Sequence, residues 1–80
     1  MKLKTIGSNK TELTLNNGFK VLFSYETPVA ATENTPEGRI FYKTSEYYSR
    51  TTSKHINSWL PKEQAVEKEQ SFFNELVSHD

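Results

Sequence analysis

The sequence predicts an α+β fold: a small, mostly antiparallel sheet of three to four strands, followed by a short helix and a longer C-terminal helix. Three observations carry this expectation. Asn17-Gly18 lies between two segments of alternating apolar and polar residues, Thr11–Leu15 and Phe19–Tyr25, the strongest short-range signal of a β-hairpin. Ile56, Trp59 and Leu60 recur at i, i+3, i+4, the spacing of one helical face. Ala65, Phe72, Phe73 and Leu76 fall near one stripe of a second helical segment, Lys62 to Ser78, with Val66 and Val77 at its edges.

In chain order, Lys2 to Ile6 reads as a weak strand and Gly7-Ser8-Asn9 as a turn. In Thr11–Leu15, Leu13 and Leu15 share a face. A two-residue type I′ turn at Asn17-Gly18 needs positive φ at both central positions, which this pair supplies at low cost. On the returning strand Phe19, Val21, Phe23 and Tyr25 lie on one face, and Lys20, Leu22 and Ser24 on the other. Pro28 stops or bends this strand because it has no N–H to donate. Val29-Ala30-Ala31 resumes pairing briefly, and the polar Thr32–Gly38 segment, with Pro36 and Gly38, reads as a loop. Arg39 to Thr44 forms the next strand, with Ile40 and Tyr42 opposite Phe41; Ser45 to Arg50 reads as a loop.

Thr51, Thr52 and Ser53 are candidate N-caps for a helix from about Ser53 to Leu60. Pro61 ends it and suits the first turn of the next helix, where Glu63 favours the helix dipole. The division expected is one domain over 1–80: β-rich to residue 50, a short helix over 51–60 and an amphipathic helix over 61–80. Isolated helices of this length are marginal in water. Phe72, Phe73 and Leu76 must therefore bury against the sheet or against a second copy, and so small a domain favours its own core.

Eighty residues with 34% hydrophobic content allow one small core, anchored by five Phe, four Tyr and one Trp. There is no Cys, which excludes disulfides, zinc ribbons and a thiol nucleophile. With no apolar run from Met1 to Gly7 that resembles a signal peptide, a cytoplasmic location is expected. No stretch approaches the roughly 20 apolar residues that span a membrane. Net charge is zero, but residues 1–60 carry eight Lys/Arg against five Glu, and residues 61–80 carry two Lys against five acids.

The catalytic case is thin. Asp80 is the sole Asp, and His55 and His79 are the two His, with no ligand spacing around either. The three Gly are isolated, so no phosphate loop exists. No catalytic residue, metal ligand or cofactor is assigned. The candidate binding surface is the segment from Arg39 to His55: Arg39, Lys43, Arg50 and Lys54 are interleaved with Tyr47 and Tyr48, and His55 closes it. Cations with aromatics can hold phosphates and stack bases. The opposing reading is a solvated face or a protein contact, and zero net charge favours it.

Two strings, Leu22-Phe23-Ser24-Tyr25-Glu26-Thr27-Pro28-Val29-Ala30-Ala31 and Thr51-Thr52-Ser53-Lys54-His55-Ile56-Asn57-Ser58-Trp59-Leu60, resemble a family of small uncharacterised bacteriophage and prophage domains with LFSYxTPVA and TTSxHINxWL motifs. The resemblance covers residues 19 to 60. It implies a phage accessory protein in a bacterial cytoplasm. In that setting Thr52 caps a helix that packs Trp59 on the sheet. The function expected is therefore non-enzymatic: binding of a host or phage macromolecule, a protein ahead of others, with inhibition of a host factor as its use. The alternative is a small nucleic-acid-binding protein using the basic, aromatic face. A homodimer is compatible with the apolar stripe of the last helix.

Overall fold

The structure, a computed structural model, describes residues 2–7, 9–16, 18–60 and 65–78. Its strands are β1 (Lys2–Gly7), β2 (Lys10–Thr14), β3 (Phe19–Ser24), β4 (Thr27–Thr35), β5 (Gly38–Thr44) and β6 (Ala65–Lys68); its helices are α1 (Arg50–Trp59) and α2 (Gln70–Ser78). All six strands form one sheet in chain order, antiparallel from β1 to β5, with β6 parallel to β5. The α+β class stands, while the expected three to four strands become six and the sheet is mixed.

The alternation along β3 decides the layering. Val21 clusters with Leu13, Leu15, Ala31 and Phe73 of α2. Its neighbour Leu22 clusters with Val29, Ala30, and with Ile56 and Leu60 at α1. Adjacent strand residues point to opposite faces, so α1 covers one face of the sheet and α2 the other. Central strands therefore have two buried faces, and Val21, Leu22, Val29, Ala30 and Ala31 are all fully buried.

Several local expectations are corrected. The β2–β3 connection is longer than a two-residue turn: Leu15 N–H bonds Phe19 C=O at 2.9 Å and Thr14 pairs with Lys20, leaving residues 16–18 between the strands. Gly18, at φ 90°, supplies the positive φ that a three-residue loop of this kind places last; Asn17 lies outside the described residues. Pro28 lies not at the end of β3, which closes at Ser24, but inside β4, where it bends the strand instead of stopping it. Phe23 pairs with Pro28 while Leu22 pairs with Ala30, so Val29 is an extra residue in a β-bulge, where a missing N–H is tolerated.

The segment Thr32–Thr35, expected as loop, is strand. It pairs with β3 through Phe19↔Glu33 and Lys20↔Thr32, and with β5 from Thr32↔Phe41 to Thr35↔Gly38. Ladders on both sides hold a polar stretch that shows no apolar alternation. The continuous helix expected over Lys62–Ser78 is instead strand β6 followed by α2. Ala65–Lys68 pairs with Phe41–Thr44, and Ser45 N–H extends the ladder to Lys68 C=O at 2.9 Å. A parallel neighbour requires a long crossover, and the chain from Thr44 through α1 to Ala65 provides it. Pro61, Lys62 and Glu63, read as opening a helix, lie outside the described residues, as do His79 and Asp80.

Helix α1 starts earlier than expected. Its N-cap is Ser49, whose Oγ accepts from Thr52 N–H at 3.1 Å, rather than Thr51, Thr52 or Ser53. Helix α2 is fixed by Gln70, whose Nε2 donates to Pro28 C=O at 2.7 Å and whose Oε1 accepts from Thr44 Oγ1 at 2.9 Å. Phe73 is fully buried, and Phe72, Leu76 and Val77 pack around the same cluster.

Candidate functional site

The five residues 45–49 join β5 to α1 and carry Tyr47 and Tyr48. Tyr47 is 74% exposed and Tyr48 46%. The Tyr48 hydroxyl titrates above the usual tyrosine value, chiefly through desolvation and then through the charge of Glu46. Two aromatic side chains in succession, facing water on one short segment, are unusual for a monomer surface and typical of contact surfaces.

This segment is held at both ends. At its start, Ser45 N–H bonds Lys68 C=O, and Glu46 N–H bonds Thr44 Oγ1 at 3.2 Å. At its end, half-buried Ser49 caps α1 and leads into a buried polar chain: Ser49 Oγ donates to Thr52 Oγ1 (3.2 Å), Thr52 Oγ1 meets Ser24 Oγ (3.0 Å), and Ser24 Oγ meets His55 Nδ1 (2.8 Å). The tyrosines therefore stand on a segment anchored to β6 and to the α1–β3 interface. Such anchoring lowers the ordering cost of binding.

A groove of about 310 Å³ opens beside the segment, lined by Lys43, Thr44, Ser45, Glu46, Tyr47, Ser53, Ile56, Asn57 and Glu67. Of the residues singled out from sequence, Lys43 and Tyr47 meet at this groove. Arg39 lies near the opposite end of β5, its Nε donating to Asn34 Oδ1 at 3.1 Å. Arg50 and Lys54 are exposed on α1, outside the lining of the groove. His55 is buried against β3. The cations do not converge. Lys43 is the direct cross-strand partner of Glu67, and Glu46 lines the same groove. The groove is mixed in charge, not basic.

The Ser24–His55 pair has the elements of a nucleophile and a base, but its setting is that of a structural network. Ser24 is 2% exposed, and no carboxylate bonds the His55 ring among the described residues. Burial, then the charge of Lys10, holds the His55 imidazole below the usual histidine value, so it is neutral at pH 7. Among the described residues, no group of three His, Cys, Asp or Glu side chains is placed to hold a metal ion, and no helix is long and apolar enough to cross a membrane.

Sequence reasoning missed Ser24 and Thr52 as network members. Ser24 sits on the same β3 face as Leu22, and a hydroxyl on a face otherwise being buried is the signal that pointed to a partner. It also missed Tyr25, a bulky residue at φ 60° whose ring centroid lies 6.1 Å from that of His55. That conformation follows from its place as the first central residue of the two-residue turn between Ser24 and Thr27.

The sequence pattern of a family of unknown function, DUF8033, matches residues 1–75, and the chain belongs to that family. The match extends beyond the span of the two motifs to include β1, β2, β6 and most of α2. No curated protein and no solved structure matches the chain.

Proposed function

We propose that this member of a family without assigned activity is a non-catalytic binding protein that docks a partner protein through Tyr47, Tyr48 and the groove beside them. The observation that carries this reading is the exposure of two successive tyrosines on a segment clamped at both ends. Tyrosine supplies large amphipathic contact area at low entropic cost, and preorganised aromatic anchors dominate many interfaces. The mixed charge of the groove, with Lys43 beside Glu46 and Glu67, favours a protein over a nucleic acid.

The motif resemblance extends the proposal: in a phage or prophage setting the partner is a host or phage macromolecule in the bacterial cytoplasm, and docking inhibits a host factor. Affinity capture from host lysate, run in parallel with wild type and with the Tyr47→Ala/Tyr48→Ala variant, tests the reading. A protein retained by wild type and lost with the variant is the expected result. Equal capture by both moves the contact elsewhere. Salt-sensitive retardation of DNA or RNA in a low-salt gel shift, abolished by Arg50→Ala/Lys54→Ala, would establish the nucleic-acid alternative instead.

A further inference from the structure

We propose that the outer edge of β1 is a second docking site, which accepts an extended strand of a partner protein whose side chains alternate between apolar and acidic. The sheet ends at β1, and among the described residues no strand pairs with its outer side. An edge strand presents free N–H and C=O groups to an incoming chain.

The two faces of this edge differ in a way that selects the incoming sequence. On the α2 side, Leu3 is the cross-strand partner of Leu13, which is buried under α2, yet Leu3 is 67% exposed. The cover of α2 therefore stops at β2. A hollow of about 260 Å³ remains there, lined by Leu3, Thr11, Phe23, Tyr25 and Glu26. Tyr25 is half exposed in this lining, with its N–H fixed to Asn9 C=O at 2.7 Å and its φ at 60°. Tyr25 and Glu26 are the two central residues of the β3–β4 hairpin, enclosed by the pair Ser24↔Thr27, and a two-residue turn of this kind places the positive φ first, which sets the Tyr25 ring at the hollow.

On the α1 side, Lys4 is the partner of Glu12 across the β1–β2 ladder. The Glu12 carboxylate is already engaged by Trp59 Nε1 at 2.9 Å and by Lys20 Nζ at 3.9 Å. Among the described residues no carboxylate lies within 4 Å of the Lys4 ammonium. A strand laid beside β1 places the side chain opposite Leu3 on the hollow's face and the next one, opposite Lys4, on the other face. Apolar followed by acidic is the complementary order. A second copy fits poorly, because pairing two β1 strands about Leu3 sets Lys4 of one against Lys2 of the other. The bulge after Thr5 limits regular pairing to four residues, Lys2–Thr5, so recognition is short.

The test uses two labelled ten-residue peptides, one alternating Val and Glu, the other Val and Lys, followed by fluorescence anisotropy. The full chain binds the glutamate peptide, and the amide signals of residues 3–5 shift on binding. Leu3→Glu and Lys4→Glu, both at exposed positions, each weaken it about tenfold. Lys4→Glu also gains affinity for the lysine peptide. Tyr47→Ala/Tyr48→Ala leaves peptide affinity unchanged, so this site and the tyrosine site succeed or fail separately. Equal binding of both peptides by wild type, absence of binding, or shifts centred on residues 45–49 overturns the proposal. So does a dimer in light scattering that Leu3→Glu dissolves, since a second copy would then hold the edge. Displacement of the peptide by a short oligonucleotide at equal concentration would likewise show a charge site and not a strand site.

Discussion

The Ser24 hydroxyl lies 2.8 Å from Nδ1 of His55, and this contact ties the last residue of β3 to the middle of α1. Thr52, one turn before His55, meets the same hydroxyl at 3.0 Å, and both partners are buried. A helix otherwise attached through Ile56 and Leu60 thus gains a polar fixing point whose groups are all satisfied, as are the other buried side-chain N and O atoms among the described residues. Satisfied buried networks fix one packing arrangement because any alternative leaves a desolvated polar atom.

Ser24→Ala removes the shared hydroxyl and leaves buried His55 Nδ1 without that partner, while Thr52 Oγ1 keeps Ser49. The expected loss is about 1–3 kcal/mol. Urea denaturation reads it as a lower midpoint with unchanged slope. Ser24→Cys, close in shape and a weaker hydrogen-bonding partner, falls between the two.

Acidification destabilises the fold through His55. Burial, then Lys10, lowers its folded-state value below the 6.5 of an ordinary histidine. The unfolded chain then binds the proton more readily than the folded one. Stability is therefore full above pH 6.5 and declines as pH falls from 6.5 towards the folded value. The groups facing His55 are Ser24, Thr52, Lys10 and the Tyr25 ring. Thermal midpoints at pH 7.5 and 5.0 test this, and His55→Gln shows a smaller drop than wild type over that interval.

Phe73→Ala removes the one fully buried aromatic of α2. The cost expected for such a truncation is about 3–5 kcal/mol, against a total stability of roughly 4–12 kcal/mol for a chain of this size. Chemical denaturation should give a midpoint far below that of wild type. Phe72→Ala, whose ring is half-buried between Tyr42 and Phe73 at 5.1 Å from each, costs less.

Trp59 is the single tryptophan, and its Nε1–H donates to Glu12 Oε2 at 2.9 Å. Glu12→Leu removes that acceptor and the Lys20 pair together, with an expected loss of about 1 kcal/mol, because a hydrogen bond to a charged group is worth more than the exposed ion pair. The change is visible as a shift in tryptophan emission. Glu12→Gln, which keeps an acceptor, leaves the emission closer to wild type.

The antiparallel part of the sheet was legible because each strand from β1 to β3 announces itself by alternation, and β5 by Ile40 and Tyr42 against Phe41. The segment Thr32–Thr35 was not, since its residues read as turn formers and it is strand only because β3 and β5 both pair with it. Strand β6 was hidden for a related reason. Ala65 and Val66 fit the stripe of a helix, while the hydrogen-bond edge that recruits Ala65–Lys68 belongs to β5, more than 20 residues earlier. The tyrosines of the candidate site were visible in the sequence. Their clamped backbone, and the pairing of Lys43 with Glu67 that removes the basic character of the groove, were not.

The sequence by itself determined the local elements whose cause is local: the alternating faces of β2 and β3, the breaks at Gly18 and Pro36, and the helical spacing of Ile56, Trp59 and Leu60. Tertiary structure alone decided the rest: which face each helix covers, the conversion of residues 65–68 from helix to strand, the meeting of Ser24 with His55 across 31 positions, and the exposure of Leu3. Side-chain periodicity records what one segment offers to a neighbour. Which neighbour accepts it depends on hydrogen-bond edges and apolar faces that exist only once distant segments have packed.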